Sequence, residues 1–168
     1  MHSGDASEHY LEVARKNFRD LKALGDKTLE QISEEDCFWK PDPEANSIAI
    51  LIRHMGGNMV SRWTDFLTTD GEKATRQRDS EFEDQTESKA DLVRIWETGW
   101  HAVFQAVDSL TSADLMKTVF IRSKAHTVIE AIQRQIVHYA SHIGQIVFIA
   151  KTLRQANWQS LSIPKKRK

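Results

Sequence analysis

Apolar residues recur every three or four places from Leu11 through Ala14, Phe18, Leu21, Leu24 and Thr28 to Ile32. That spacing lines one face and predicts a helix over 6–32. Pro41 and Pro43 bar its continuation. Glu34, Glu35 and Asp36 read as solvated surface beside it, and Cys37, Phe38 and Trp39 as an apolar plug in the connection. Ser47 can cap a second helix running to about residue 67, with Ile48, Leu51, Ile52, Met55, Met59, Trp63 and Phe66 on its core side. From Thr68 to Glu87 no period is sustained, which marks a functional loop or a crossover. Ser88 with Asp91 has capping-box spacing, and Leu92, Trp96, Gly99, Val103, Ala106 and Leu110 continue a third helix. Residues 112–116 suit one helical turn, and 117–125 an irregular or briefly extended stretch. Thr127 and Glu130 then open a fourth helix that reaches about Arg154, on the order of 40 Å long.

The expected fold class is therefore all-α, a four-helix bundle of up-down-down-up type with its long crossover between helices two and three. One domain is expected over 1–160, followed by a basic flexible tail over 161–168. Seven glycines and three prolines in 168 residues agree with long elements and few turns.

Charge narrows the partners. The 23 basic and 24 acidic residues leave a net charge of −1, so no basic field invites nucleic acid or an anionic membrane. The longest apolar runs, Ile48 to Ile52 and Ile146 to Ala150, are far shorter than the roughly 20 residues of a bilayer span. No secretory signal is visible at the N-terminus. With a lone cysteine, which excludes an internal disulfide and a cysteine-rich zinc module, this predicts a cytoplasmic protein. The terminal Pro164-Lys165-Lys166-Arg167-Lys168 has the look of a nuclear-import signal but is read as a solubilising tail.

Seven histidines carry the candidate chemistry. His138 and His142 stand four apart on the fourth helix and share one face, where they can reach a single ion. Ala131, Gln135, Gln145 and Ile149 lie on the same stripe, bordered by an apolar arc, and such a polar line flanked by core suits a cavity. On the second helix His54, Asn58, Ser61 and Asp65 form a polar stripe. Two histidines from one helix and one from another offer three nitrogens to a divalent ion and leave positions open. Partly buried histidines with ordinary hydrogen-bond partners fit the spacing as well. His2, His9, His101 and His126 are assigned structural or exposed roles.

The segments Ile52-Arg53-His54-Met55 and His138-Tyr139-Ala140-Ser141-His142-Ile143-Gly144-Gln145 resemble the DinB/YfiT-like superfamily of metal-binding bundles, in an uncharacterised branch of unknown function. The likeness covers nearly the whole chain. It implies His54, His138 and His142 as ligands, places Gln145 at the glutamine after the last ligand, and implies a divalent transition metal. Nickel or zinc is expected, with iron or manganese as alternatives. Asn58 and Gln135 are expected to line the pocket around the ligands.

Two reactions suit such a centre. A metal-dependent hydrolase usually needs a carboxylate to manage the proton, but Tyr139 stands where a zincin carries glutamate, and Asp65 is about 16 Å from His54 along the helix axis. A thiol transferase needs less, since coordination itself makes the thiolate, and the resemblance implies low-molecular-weight thiols used for detoxification. In the long loop, Arg76 and Arg78 are candidates to grip an anionic group of a small substrate, with Asp79 and Glu81 organising the loop. Gly56 and Gly57 can admit a backbone or a ligand close to His54. Cys37 is read as structural. The expected function is thus a metal-dependent small-thiol transferase or a hydrolase of a small substrate. The alternatives are a non-catalytic metal or small-ligand binding protein, and a dimeric interaction module, for which five tryptophans would supply interface anchors.

Overall fold

Leu11, Ala14 and Phe18 are buried along the inner face of α1 (Ala6–Leu29), as their spacing requires. The computed structural model describes residues 5–83, 85 and 87–163. His2 and the basic segment 164–168 lie outside them. α1 ends at Leu29 rather than Ile32 because Ser33 opens a new helix. The Ser33 hydroxyl accepts from the Asp36 N–H at 3.2 Å, and the Asp36 carboxylate accepts from the Ser33 N–H at 2.8 Å. This box starts the short α2 (Glu34–Phe38), which drives Cys37 fully into the core. Asp36 is therefore part of a cap and not merely solvated surface.

Ser47 caps α3 (Ile48–Trp63), its hydroxyl accepting from the Ile50 N–H at 3.2 Å. The helix ends at Trp63, short of the expected residue 67, and Asp65 takes a left-handed φ of 50°. Its carbonyl then accepts from the Thr68 and Thr69 N–H groups. Asp65 thus leaves the polar stripe on which periodicity had placed it. The capping boxes at Ser88 and Thr127 form as expected and start α4 (Lys89–Ser109) and α5 (Val128–Arg154). Caps of this kind contribute about 0.5–2 kcal/mol each.

Between α4 and α5 the chain forms an antiparallel hairpin, β1 (Thr118–Ile121) and β2 (Lys124–Thr127), with Thr118 opposite Thr127. Arg122 and Ser123 form its two-residue turn, both at positive φ, as tight hairpins prefer. The Asp70 carboxylate accepts from the N–H groups of both, at 2.9 and 2.7 Å. Those bonds pin the hairpin to the loop that follows α3.

α3 packs most extensively on α4, and α1 on α5. The first of these contacts depends on two glycines. A Cβ on Gly99 would stand 3.1 Å from the Cα of Gly56, and one on Gly56 would stand 2.5 Å from an Ile95 methyl. Phe18, Trp96, Trp100 and Tyr139 are fully buried at the centre, each contributing about 1.5–3 kcal/mol by leaving water.

The described residues thus form a mostly helical domain of five helices and one two-stranded sheet. The mostly helical content agrees with the all-α expectation, while the short α2 adds a fifth helix to the four expected and the hairpin falls largely in the stretch expected to be irregular or briefly extended. No described helix is long and apolar enough to cross a membrane.

Candidate metal centre

His54 sits in the middle of α3, where its apolar neighbours bury it to 7% exposure. Its ring faces α5, which contributes His138 and His142 from successive turns of one face. His138 Nε2 lies 3.2 Å from His54 Nε2 and 3.0 Å from His142 Nε2. One nitrogen from each ring falls within 4.8 Å of the other two.

The protonation of this trio follows from its surroundings. Nδ1 of His54 is 3.0 Å from Oε2 of Glu81, and an ionised carboxylate only accepts, so the ring proton belongs on Nδ1. With Nδ1 so engaged, Nε2 is the nitrogen of His54 that faces His138. Burial pushes the His138 ring down to about 3, helped by the fields of His142, His54, Arg62 and Arg76. A neutral His138 has one N–H and cannot donate to both neighbours. Burial and His54 also hold His142 below the usual histidine range, with a hydrogen bond to the Gln145 side chain partly opposing them. Ring nitrogens closing on one point with too few protons between them form a donor set suited to a cation.

Glu81, expected to organise the loop, also stands directly behind His54. It lies in the turn Asp79–Phe82 and is buried. Arg76 holds it from the other side, donating from Nε to Oε1 and from Nη2 to Oε2, both at 2.7 Å. Burial alone would raise the Glu81 carboxyl, but the hydrogen bonds from His54 and Arg76 and the guanidinium charge outweigh it and keep it ionised. A carboxylate behind a ligating imidazole fixes the tautomer and raises its basicity. Glu81 therefore orients His54 from behind.

Arg76 is correspondingly committed. Its remaining donor reaches Glu72 at 3.2 Å, so the fork expected to grip substrate is filled by two carboxylates. Arg78 is half exposed, ion-paired to Asp79 at 3.5 Å and placed over the Phe82 ring. Arg53, next to His54 but pointing elsewhere, donates to the carbonyls of Glu81 and Glu83 and to the Glu87 carboxylate. It thereby straps the loop to α3. A buried arginine beside the histidine was the available signal, since so buried a charge needs dedicated partners.

Asn58 and Gln135 line a cavity together with His54 and His138. The cavity holds about 560 Å³. Asn58 accepts from the Tyr139 hydroxyl at 3.1 Å, which in turn accepts from the Trp63 indole N–H at 3.0 Å. Burial pushes Tyr139 up, so it stays a neutral spacer. Gln135 is buried with its carbonyl oxygen unpartnered. Gln145 is exposed one turn beyond His142. Ser61 faces away from this cavity and bonds to Gly71 and Lys73. His9, His101 and His126 all lie outside the trio.

A larger groove of about 1170 Å³ runs along α3 and α4 on the far side of Glu81. None of the three histidines lines it, whereas His54 and His138 line the smaller cavity. No curated protein matches the chain. The family model described as a protein of unknown function, DUF1572, matches residues 5–167, and the chain belongs to that family.

Proposed function

We propose that this protein is a metal-dependent enzyme of the DinB/YfiT-like four-helix-bundle kind, with α1, α3, α4 and α5 as the bundle. His54, His138 and His142 would hold a divalent transition metal, nickel or zinc foremost, and small-thiol transfer is the favoured reaction. The observation that carries this reading is the Glu81–His54 pair, which turns Nε2 of His54 toward the nitrogens of the other two histidines. The bound ion would supply Lewis acidity that lowers the pKa of a small coordinated molecule.

The chain's own residues then bind, orient and exclude water. Glu81 holds the His54 ring in one tautomer, Arg76 keeps Glu81 ionised, and Arg53 keeps the loop closed on α3. Asn58 and Gln135 offer polar atoms to the substrate cavity. Among its described lining residues the cavity has no aspartate or glutamate, and hydrolysis would want such a group to take the proton of water. That contrast favours a thiol, which needs no separate base once coordinated, over hydrolysis of a small substrate.

The same lack of a proton acceptor supports a second reading, a non-catalytic metal or small-ligand binding protein of this fold. Elemental analysis and metal titration of wild type against His142→Ala test the centre. Stoichiometric metal in the wild type and its loss in the variant are expected, whereas equal metal content in both would sink the proposal. Conjugation of small thiols to an electrophile, assayed with several metals, then separates enzyme from binder. A rate indifferent to chelation and to His138→Ala would reject metal-activated transfer.

A further inference from the structure

Five arginines line the cavity beside the histidines, Arg62, Arg76, Arg78, Arg122 and Arg134, with no lysine and no carboxylate among its described lining residues. They come from α3, the loop after it, the hairpin turn and α5, so they surround the space rather than line one wall. Arg76 is already paired with Glu81 at 2.7 Å and Arg78 with Asp79 at 3.5 Å, so the charge open to a ligand is that of Arg62, Arg122 and Arg134. Glu72 alone is shared by Arg62 at 3.8 Å, Arg76 at 3.2 Å and Arg122 at 3.2 Å, and Arg134 has no ion pair among the described residues.

Arg62 is the telling member. It is only 3% exposed, yet its Nε and Nη1 have no hydrogen-bond partner. Gly71 makes room for it, since a Cβ there would stand 2.7 Å from Nη1. Arg62 thus brings to the cavity wall a buried guanidinium whose one carboxylate, Glu72, is 3.8 Å away, a charge that is costly to bury without a closer counterion. Burial accordingly lowers its proton affinity.

We propose that this cavity is a subsite for a tetrahedral oxyanion of the phosphate class, carried by the small molecule that reacts at the histidines. Arginine forks engage such groups bidentately, and donors arriving from several elements suit a ligand with three outward oxygens better than a planar carboxylate with two. The helical spacing sets the reach. Arg134 precedes His138 by one turn on α5, and Arg62 follows His54 by about 12 Å along the axis of α3. The anionic group therefore binds one to two helix turns from the reacting end. The link to a reacting end rests on the proposed function, but the oxyanion site itself stands without it.

Binding of inorganic phosphate to chelator-treated protein tests the site apart from the metal. Calorimetric titration at constant ionic strength should show saturable phosphate binding, weakened about tenfold in Arg134→Gln, whose exposed side chain can change without unfolding the chain. Arg62→Gln should weaken it at least as much, with circular dichroism reporting whether that variant is folded. The proposal is overturned if phosphate binds no better than chloride, if acetate binds more tightly than phosphate, or if Arg134→Gln binds as wild type does. Phosphate binding retained by a His142→Ala variant that carries no metal supports the subsite. Metal binding without phosphate binding would sink the subsite and leave the metal centre standing.

Discussion

Gly57 and Glu81 are fitted to one another: a Cβ on Gly57 would stand 2.2 Å from Oε1 of Glu81. The glycine lies one turn from the edge of the histidine trio and leaves the space that the carboxylate fills. Glu81 cannot yield cheaply, since moving it breaks the paired bonds from Arg76 and the bond from His54. Gly57→Ala should therefore displace Glu81, release the His54 tautomer and lower metal affinity by roughly 10–100-fold. Competition with a chromogenic chelator measures this, and Glu81→Gln should reproduce it with the helical signal intact. Wild-type affinity in both variants would show that Glu81 does not serve the centre.

Tyr139 separates two buried polar groups, donating to Asn58 and accepting from Trp63. Tyr139→Phe removes the oxygen and leaves the Trp63 indole N–H and the Asn58 carbonyl oxygen short of a partner. The expected cost is about 1–3 kcal/mol, read as a lower denaturant midpoint, with metal stoichiometry unchanged. Loss of metal at full stability would instead place Tyr139 in the site itself.

Cys37 is fully buried, donates its thiol to the Ser33 carbonyl at 3.4 Å, and is pushed up to about 11, chiefly by burial. At pH 8 it is protonated and inaccessible. Iodoacetamide should leave the native chain unmodified and add one adduct after denaturation, as mass spectrometry would report. Rapid labelling of the native protein would contradict the burial.

The metal-free protein should lose stability in mild acid. His138 stays neutral in the folded state down to about pH 3 because of burial and its charged neighbours, whereas an unfolded histidine takes up its proton near 6.5. Between those values the unfolded chain binds more protons, so the stability present above pH 6.5 declines as pH falls. Urea midpoints of chelator-treated protein should drop from pH 7 to pH 5, and His138→Gln should flatten that drop. An identical pH slope in the variant would assign the effect elsewhere.

The four long helices were legible because each carries a cap and a sustained apolar stripe, as Ser88 with Asp91 and Thr127 with Glu130 show. The convergence of His138 and His142 followed from their spacing of four. What periodicity could not supply was the interior of the long loop. Arg76 reads as a substrate grip until its two carboxylate partners are seen, because sequence shows charge but not pairing. Asp65 was misplaced for a simpler reason, since α3 ends at Trp63 and one left-handed residue breaks the helical count. Arg62 escaped notice because only three-dimensional packing reveals that its donors are incompletely satisfied.

Arg53 anchors the loop through two main-chain carbonyls and Glu87, and none of these bonds involves a ligand. Arg53 therefore ties the described parts of the loop to α3 through the chain's own groups. Arg62, Arg122 and Arg134 can thus change with the ligand, whereas Arg53, Arg76 and Glu81 make up the frame that holds His54 and must stay.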